Sequence, residues 1–143
     1  MIKARKIFVD TSAFAALADS KDDNHRRAVQ ISKHTRGIPI VTSNYVLDEL
    51  HTLLLLNVGY AKTVQFKTKL DRLAESGILT VIWITEDLEA QAWQVFQRFN
   101  VDKQWSFTDC SSYVVMNGQN IRDAFTFDHH FSQMGFIQVG MPA

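Results

Sequence analysis

The sequence predicts an α/β fold, namely a three-layer α/β/α sandwich with a central parallel sheet of about five strands. Short apolar runs alternate with amphipathic segments along the whole chain, which is typical of a parallel sheet covered by helices on both faces. The first apolar run, Ile7–Val9, is continuous, as expected for a strand buried on two sides. The length of 143 residues and the absence of a Gly- or Pro-rich linker predict a single domain over residues 1–143.

Five apolar runs are predicted to form the strands, at residues 7–9, 38–42, 78–84, 123–127 and 136–140. The segments between them are predicted to be helical, at about residues 12–17, 24–35, 44–56, 61–75, 85–99 and 106–116. Thr11 or Ser12 is expected to cap the first helix, while Ser43 and Thr85 are expected to cap two of the later helices. Strand and helix therefore follow one another in the order that a parallel sheet requires.

The composition excludes several classes of protein. There are 15 basic and 15 acidic residues, so the net charge of zero does not by itself indicate a nucleic-acid-binding protein. The longest apolar runs are too short to span a bilayer, and the first residues lack the apolar core of a signal peptide. Cys110, the single cysteine, cannot form an internal disulfide, which agrees with a reducing compartment. We therefore expect a cytoplasmic protein.

Two acidic residues directly follow predicted strands. Asp10 ends the run Ile7–Val9, and Asp128 follows the run that ends at Phe127. In open α/β sheets, ligands bind beyond the carboxyl ends of the strands, so these positions are candidates for a functional site. The alternative is that each carboxylate caps a helix or accepts hydrogen bonds from the amides of a turn.

Two further acids lie on predicted helices. Glu49 has Val46 three residues before it and Leu53 four residues after it, so it is expected on the buried face of its helix. A buried glutamate needs either a basic partner or a metal ion. Asp109 lies in the first turn of a helix that Ser106 or Thr108 is expected to cap, where the helix dipole alone would also favour an acid.

The four acids have one explanation in common. Two like charges at about 4 Å repel by roughly 4 kcal/mol at an effective dielectric constant near 20. A fold that brings four carboxylates together must therefore compensate their charge. Mg²⁺ or Mn²⁺ would do so, because these ions prefer carboxylate and water oxygens.

In this set of positions the chain resembles the PIN-domain family, and most of all its VapC-type toxin ribonucleases. The resemblance is carried by "FVDTSAF" with Asp10, "VLDEL" with Glu49, "SFTDCSSYVVM" with Asp109 and "AFTFDHHF" with Asp128. It implies a metal-dependent endoribonuclease that hydrolyses RNA phosphodiester bonds with Mg²⁺ or Mn²⁺ as cofactor. It also implies a homodimer and a cognate antitoxin protein that blocks the cleft.

The resemblance further implies roles for individual residues. Asp10, Glu49 and Asp109 would hold the first metal ion, and Asp128 would orient the attacking water or help to bind a second ion. Thr11, Ser12 and Thr108 match hydroxyl positions beside the metal ligands in the family. Cleavage would leave a 5′-phosphate and a 3′-hydroxyl.

Contacts to the substrate are predicted from residue type. Trp105 is a candidate to stack on an RNA base, whereas Trp83 and Trp93 are expected in the core. Arg26 and Arg27 are candidates to contact phosphates, with a solvated helix face as the alternative.

Other readings of the chain stay open. The five histidines lack the spacing of a zinc site, although His129 could assist proton transfer near Asp128. One alternative function is a catalytically degenerate RNA-binding or scaffolding module of the same fold. Another is a phosphatase with Asp10 as nucleophile, but such enzymes carry a second aspartate where this chain has Ser12.

Overall fold

The computed structural model describes residues 4–140, and five of their segments form one parallel sheet. The strands are β1 (Ile7–Val9), β2 (Ile40–Ser43), β3 (Leu79–Ile82), β4 (Asp123–Phe125) and β5 (Ile137–Gln138). They lie in the order β3-β2-β1-β4-β5, and every neighbouring pair is parallel. The predicted fold class is therefore confirmed, although every strand after β1 is shorter than the apolar run that predicted it.

Seven helices connect the strands of the described residues. They are α1 (Thr11–Ala18), α2 (His25–His34), α3 (Asn44–Val58), α4 (Tyr60–Glu75), α5 (Glu86–Phe99), α6 (Phe107–Gly118) and α7 (His130–Gln133). Six of them match predicted helices to within a few residues, whereas the single turn of α7 was not predicted. None of the helices in residues 4–140 is both long enough and apolar enough to cross a bilayer.

The order of the strands reverses between β1 and β4. The chain leaves β1 to build β2 and then β3 on one side, and α5 and α6 then carry it back to place β4 on the other side of β1. Such a reversal opens a crevice at the carboxyl ends of the two strands, where ligands bind in α/β proteins. Asp10 lies at this point, and its backbone N–H donates to the carbonyl of Phe125 at 3.0 Å.

The centre of the sheet is fully buried, which explains the continuous apolar run of β1. Phe8 is buried completely between the two helical layers, together with Ala13 and Ala16 of α1. Phe131 of α7 is also completely buried, and its ring stacks on Phe8 with centroids 6.4 Å apart. The short α7 is therefore anchored to the central strand.

Polar caps define the starts of three helices, as the sequence predicted for α3, for α5 and, with Thr108 as the alternative to Ser106, for α6. The side chains of Ser43, Thr85 and Ser106 accept the backbone N–H of the residue three positions later. The expectation that Thr11 or Ser12 caps α1 is wrong, because the helix begins at Thr11 and both residues lie in its first turn. Asp10 occupies the cap position, but its carboxylate makes no capping hydrogen bond.

The three tryptophans lie opposite to their predicted places. Trp105 is only 2% exposed and packs against Phe99 and Tyr113, with ring centroids 4.9 and 6.1 Å away. We call these three residues the aromatic cluster. Its burial removes Trp105 from contact with an RNA base, which corrects that prediction. Trp83 and Trp93, expected in the core, are 70% and 50% exposed, because one follows the edge strand β3 and the other lies beside the buried face of α5.

Candidate active site

Three of the four predicted acids meet at the carboxyl ends of the central strands. Burial, followed by the charge of Asp109, raises the pKa of Asp10 to about 7, and the charge of Asp128 adds to this effect. Hydrogen bonds from the Thr11 backbone and the Thr126 side chain oppose the rise. The pKa of Asp109 is also raised, mainly because the residue is buried. The protein therefore places Asp10, Asp109 and Asp128, the acidic site, close enough for their charges to interact.

A network of hydroxyl groups holds the carboxylate of Asp10. Its Oδ2 accepts a hydrogen bond from Ser12 Oγ at 3.2 Å and one from Thr126 Oγ1 at 3.0 Å. The same hydroxyls accept the backbone N–H groups of Phe127 and Asp128, at 2.9 and 3.0 Å. The end of β1 is therefore joined to the loop after β4 through side chains.

Ser12 was predicted as a hydroxyl beside the acids, and the structure places it there. Thr126 was not predicted. Its signal in the sequence is a hydroxyl residue two positions before Asp128, at the end of an apolar strand.

Asp109 has two structural roles at once. Its backbone N–H donates to Ser106 Oγ at 3.0 Å, and its Oδ2 accepts the backbone N–H of Ser106 at 3.2 Å, which forms a capping box. Asp109 therefore lies in the first turn of its helix, as predicted, and also contributes a capping contact there. However, Asp109 Oδ2 also lies 3.0 Å from Nδ1 of His130, so the capping carboxylate belongs to the acidic site as well.

His130 is a member of the site that the sequence interpretation missed. Its Nδ1 lies 3.2 Å from Asp128 Oδ1, and its backbone N–H donates to the same oxygen at 2.9 Å. Possible ligand atoms of Asp109, Asp128 and His130 all lie within 4.8 Å of one another, which forms one potential metal-binding group within residues 4–140. The neighbouring His129, which the sequence suggested for proton transfer, is exposed. The signal for His130 is its position two residues after the acid, the spacing of an Asx turn.

Glu49 lies differently from its prediction, because it is exposed rather than on the buried face of α3. The buried stripe of the helix consists of Val46, Leu50 and Leu54, whereas Leu53, which supported the prediction, is only half-buried. Glu49 is therefore beside the stripe, and its side chain makes no hydrogen bond or ion pair with the part of the chain that the structure describes. The group of Asp109, Asp128 and His130 does not include it, and its role as a ligand stays a prediction.

The remaining predicted residues occupy varied environments. Thr11 Oγ1 is buried without a hydrogen-bond partner among the described residues, and Thr108 is half-buried at the start of α6. Arg26 and Arg27 are exposed on α2, where Arg27 donates to the carbonyl of Gly140. Their contacts with RNA stay predictions.

The chemistry of the acidic site fits a hard divalent cation. Asp109 and Asp128 each use one carboxylate oxygen for hydrogen bonds within the protein. Their other oxygens, Asp109 Oδ1 and Asp128 Oδ2, accept no hydrogen bond from residues 4–140. Together with Asp10, the site offers closely spaced oxygen ligands of the kind that Mg²⁺ and Mn²⁺ prefer, and a cation would also relieve the repulsion between the carboxylates.

Comparison with known proteins agrees with this architecture. Residues 7–137 match the PIN domain family. The chain belongs to the PIN-domain family. The resemblance that the four acidic motifs indicated is therefore confirmed.

The relatives of this PIN domain include VapC-type ribonucleases. The "23S rRNA-specific endonuclease VapC20" of Mycobacterium tuberculosis is 36% identical over 133 residues, which are 93% of this chain and 97% of the relative. A "VapC ribonuclease" of Archaeoglobus fulgidus is 31% identical over 127 residues, which are 87% of this chain and 78% of that protein.

Solved structures confirm the fold. The crystal structure of M. tuberculosis VapC20, which is described as a sarcin-ricin loop cleaving toxin, matches with a TM-score of 0.83 at 35% identity, over 93% of this chain and 98% of that chain. FitAcB from Neisseria gonorrhoeae matches with a TM-score of 0.65 at 14% identity, over 93% of this chain and 96% of that chain. The second likeness shows the fold alone.

Proposed function

We propose that this protein is a Mg²⁺- or Mn²⁺-dependent endoribonuclease and the toxin of a VapBC-type toxin–antitoxin pair. The observation that carries the proposal is the convergence of Asp10, Asp109 and Asp128 at the point where the strand order reverses. These charges destabilise one another, and the pKa of Asp10 is raised to about 7 as a result of burial and of the neighbouring charges. Family membership supports the same reading, because VapC relatives of comparable length are ribonucleases by name.

Each residue of the acidic site has a defined task in this proposal. Asp10, Asp109 and Asp128 would bind the cation, and Glu49 would complete the set from the exposed side of α3. A bound divalent cation supplies an activated water and polarises the phosphate. Ser12 and Thr126 hold the carboxylate of Asp10 in one orientation, since both hydroxyls contact its Oδ2. Asp128 would also orient the attacking water.

The substrate and the partners follow from the relatives. VapC20 is described as specific for 23S rRNA and as cleaving the sarcin-ricin loop. We infer that this chain cleaves a ribosomal RNA hairpin of the same kind, because the identity of 36% extends over 93% of its length. A cognate antitoxin protein, a homodimeric state and a cytoplasmic location belong to the same proposal.

A cleavage assay on purified protein tests the activity. The substrates are 23S rRNA and a short RNA that contains the sarcin-ricin hairpin, incubated with Mg²⁺, with Mn²⁺ or with EDTA. Cleavage is expected only with a divalent cation. Asp10→Asn is expected to lower the rate by at least about 100-fold, the scale of losing one preorganised electrostatic group.

Two adjacent carboxylates on α3 supply a matched pair of variants. Glu49→Gln is expected to lower the cleavage rate by about 10-fold or more, whereas Asp48→Asn is expected to leave it within about twofold. Equal activity of both variants would remove Glu49 from the site. Metal-independent binding of the hairpin without any cleavage would instead indicate a degenerate RNA-binding module.

A further inference from the structure

We propose that His130 is a positioning residue of the cation site. Its Nδ1–H holds the carboxylates of Asp109 and Asp128 so that their free oxygens face the same cation. This inference rests on the proposed function, because it presupposes that the acidic site binds a divalent cation. The role assigned to His130 acts through the two aspartates and not through contact with the substrate.

The contacts decide which ring nitrogen carries the proton. Nδ1 lies 3.0 Å from Asp109 Oδ2 and 3.2 Å from Asp128 Oδ1. Both neighbours are hydrogen-bond acceptors when the carboxylates are ionised, so a lone pair on Nδ1 would be repelled by both. The Nδ1–H form instead donates to the pair and shields part of their mutual repulsion.

The histidine contacts the oxygens that the backbone already holds. Asp109 Oδ2 also accepts the Ser106 N–H at 3.2 Å, and Asp128 Oδ1 also accepts the His130 N–H at 2.9 Å. The partner oxygens, Asp109 Oδ1 and Asp128 Oδ2, have no hydrogen-bond donor among residues 4–140. One oxygen of each carboxylate is therefore anchored and the other is available, which is how outer-shell groups orient metal ligands.

The ring of His130 is fixed by its neighbours in the chain. The Asx turn from Asp128 sets the backbone of His130, and the next residue, Phe131, is completely buried against Phe8. His129 immediately before it is exposed, and its side chain makes no hydrogen bond with the described part of the chain. The two histidines thus differ in their contact with the acids while they share the same loop, which makes His129 the natural control.

The test measures the affinity for Mn²⁺ by isothermal titration calorimetry and by the electron paramagnetic resonance signal of free Mn²⁺. His130→Ala is expected to weaken Mn²⁺ binding by about 10–100-fold, as outer-shell substitutions do. His130→Asn places an amide N–H near the position of Nδ1 and is expected to restore the affinity to within about fivefold of the wild type. His129→Ala is expected to leave it unchanged.

Several results would overturn the role of His130. One is an unchanged Mn²⁺ affinity in His130→Ala. Another is a nitrogen-14 coupling from a coordinated imidazole in the pulsed resonance spectrum of the Mn²⁺-loaded protein, lost in His130→Ala, which would make His130 a direct ligand. If His130→Ala does not fold, His130→Gln replaces it. The longer amide should bind Mn²⁺ more weakly than His130→Asn, and equal affinities would contradict the proposal.

Asp109→Asn distinguishes failure of the cation site from failure of the role of His130. If this variant binds Mn²⁺ as the wild type does, the cation site and with it the proposed function fail. If Asp109→Asn loses affinity and His130→Ala does not, only the role of His130 fails. Thermal unfolding of each variant without metal shows that the affinity is measured on folded protein.

Discussion

The aromatic cluster and the acidic site meet at α6 and contribute to stability with opposite signs. On one side, the aromatic cluster packs Trp105 against Phe99 and Tyr113, and the indole N–H of Trp105 has a partner, because Nε1 donates to Gln133 Oε1 at 2.9 Å. On the other side, the first turn of the same helix delivers Asp109 to two further carboxylates. One helix can therefore stabilise the fold through its apolar face and, at its amino end, hold carboxylates whose repulsion destabilises the fold.

Asn100 supplies hydrogen bonds to both backbone polar groups of Trp105 in the aromatic cluster. Its side chain accepts the backbone N–H of Trp105 at 2.8 Å and donates to the carbonyl of the same residue at 2.9 Å. In the acidic site, by contrast, burial and neighbouring charge raise the pKa of Asp10 to about 7. Substitutions in the aromatic cluster should therefore cost stability, whereas neutralising the acidic site should increase it.

The largest effect on stability is expected from Trp105→Ala. Removing this buried ring should lower the free energy of unfolding by about 3–5 kcal/mol, as truncation of large core aromatics does. Urea denaturation monitored by circular dichroism measures the change. Trp105→Phe should lose less, because it keeps an aromatic ring and gives up the bond to Gln133. A loss below about 1 kcal/mol for Trp105→Ala would contradict the comparison.

Neutralising a carboxylate of the acidic site should raise the free energy of unfolding instead. Without metal at pH 8, Asp10→Asn is expected to raise the free energy of unfolding by about 1–3 kcal/mol, because a buried charge beside like charges is removed. The amide oxygen can still accept hydrogen bonds from Ser12 and Thr126. Urea denaturation in EDTA measures the gain, and Asp102→Asn on the exposed surface is the control. A destabilised Asp10→Asn protein would show that the charge is compensated within the protein.

The raised pKa of Asp10 also predicts how the stability of the protein depends on pH. The pKa of Asp10 is about 7 in the folded protein, against an ordinary value of 3.8. Between these values the folded state keeps a proton that the unfolded state has lost. The stability contribution of this residue is therefore fully present below about pH 4 and is lost as the pH rises through about 7.

The unfolding free energies of the wild type and of Asp10→Asn are expected to converge as the pH falls. As the pH falls from 8 to 4 without metal, the wild type should gain stability relative to Asp10→Asn, which lacks the titrating group. Unfolding free energies of both proteins at several pH values measure this. A difference in unfolding free energy that stays constant from pH 8 to pH 4 would contradict the raised pKa of Asp10.

The smallest effect is expected from Trp93→Ala. This residue is 50% exposed, and its ring stacks on Phe96 with centroids 5.1 Å apart. The loss should be about 0.5–1.5 kcal/mol, the scale of an aromatic pair. A loss as large as that of Trp105→Ala would mean that this surface is a second core.

Part of the acidic site could be predicted because general rules of topology constrain it. The carboxyl ends of parallel strands meet at one edge of a sheet, so acids that follow two strands are candidates for one site. Asp10 and Asp128 satisfy this rule, and both interact with the charge of Asp109. The caps Ser43 and Thr85 were equally predictable, since a helix cap depends on a few neighbouring residues.

Other parts could not be predicted because they depend on the rotation of a helix or on a distant contact. Glu49 has apolar residues at helical spacing, yet α3 turns a neighbouring stripe toward the core. The tryptophans were misplaced for a similar reason, since burial of Trp105 depends on how α5 packs against α6. The hydroxyl groups of Ser12 and Thr126 meet across 114 positions of the chain.

Local patterns of the sequence therefore determine the succession of strands and helices along the chain and the helix caps. They also determine the acids that follow two of the strands. These patterns suffice because the period of apolar residues and the chemistry of a cap act over a few residues. The partners of those acids, Thr126 and His130, and the burial of each tryptophan were decided only when the sheet and its helices packed together. Hydrogen bonds and close packing depend on distances of a few ångströms between segments that are far apart in the sequence.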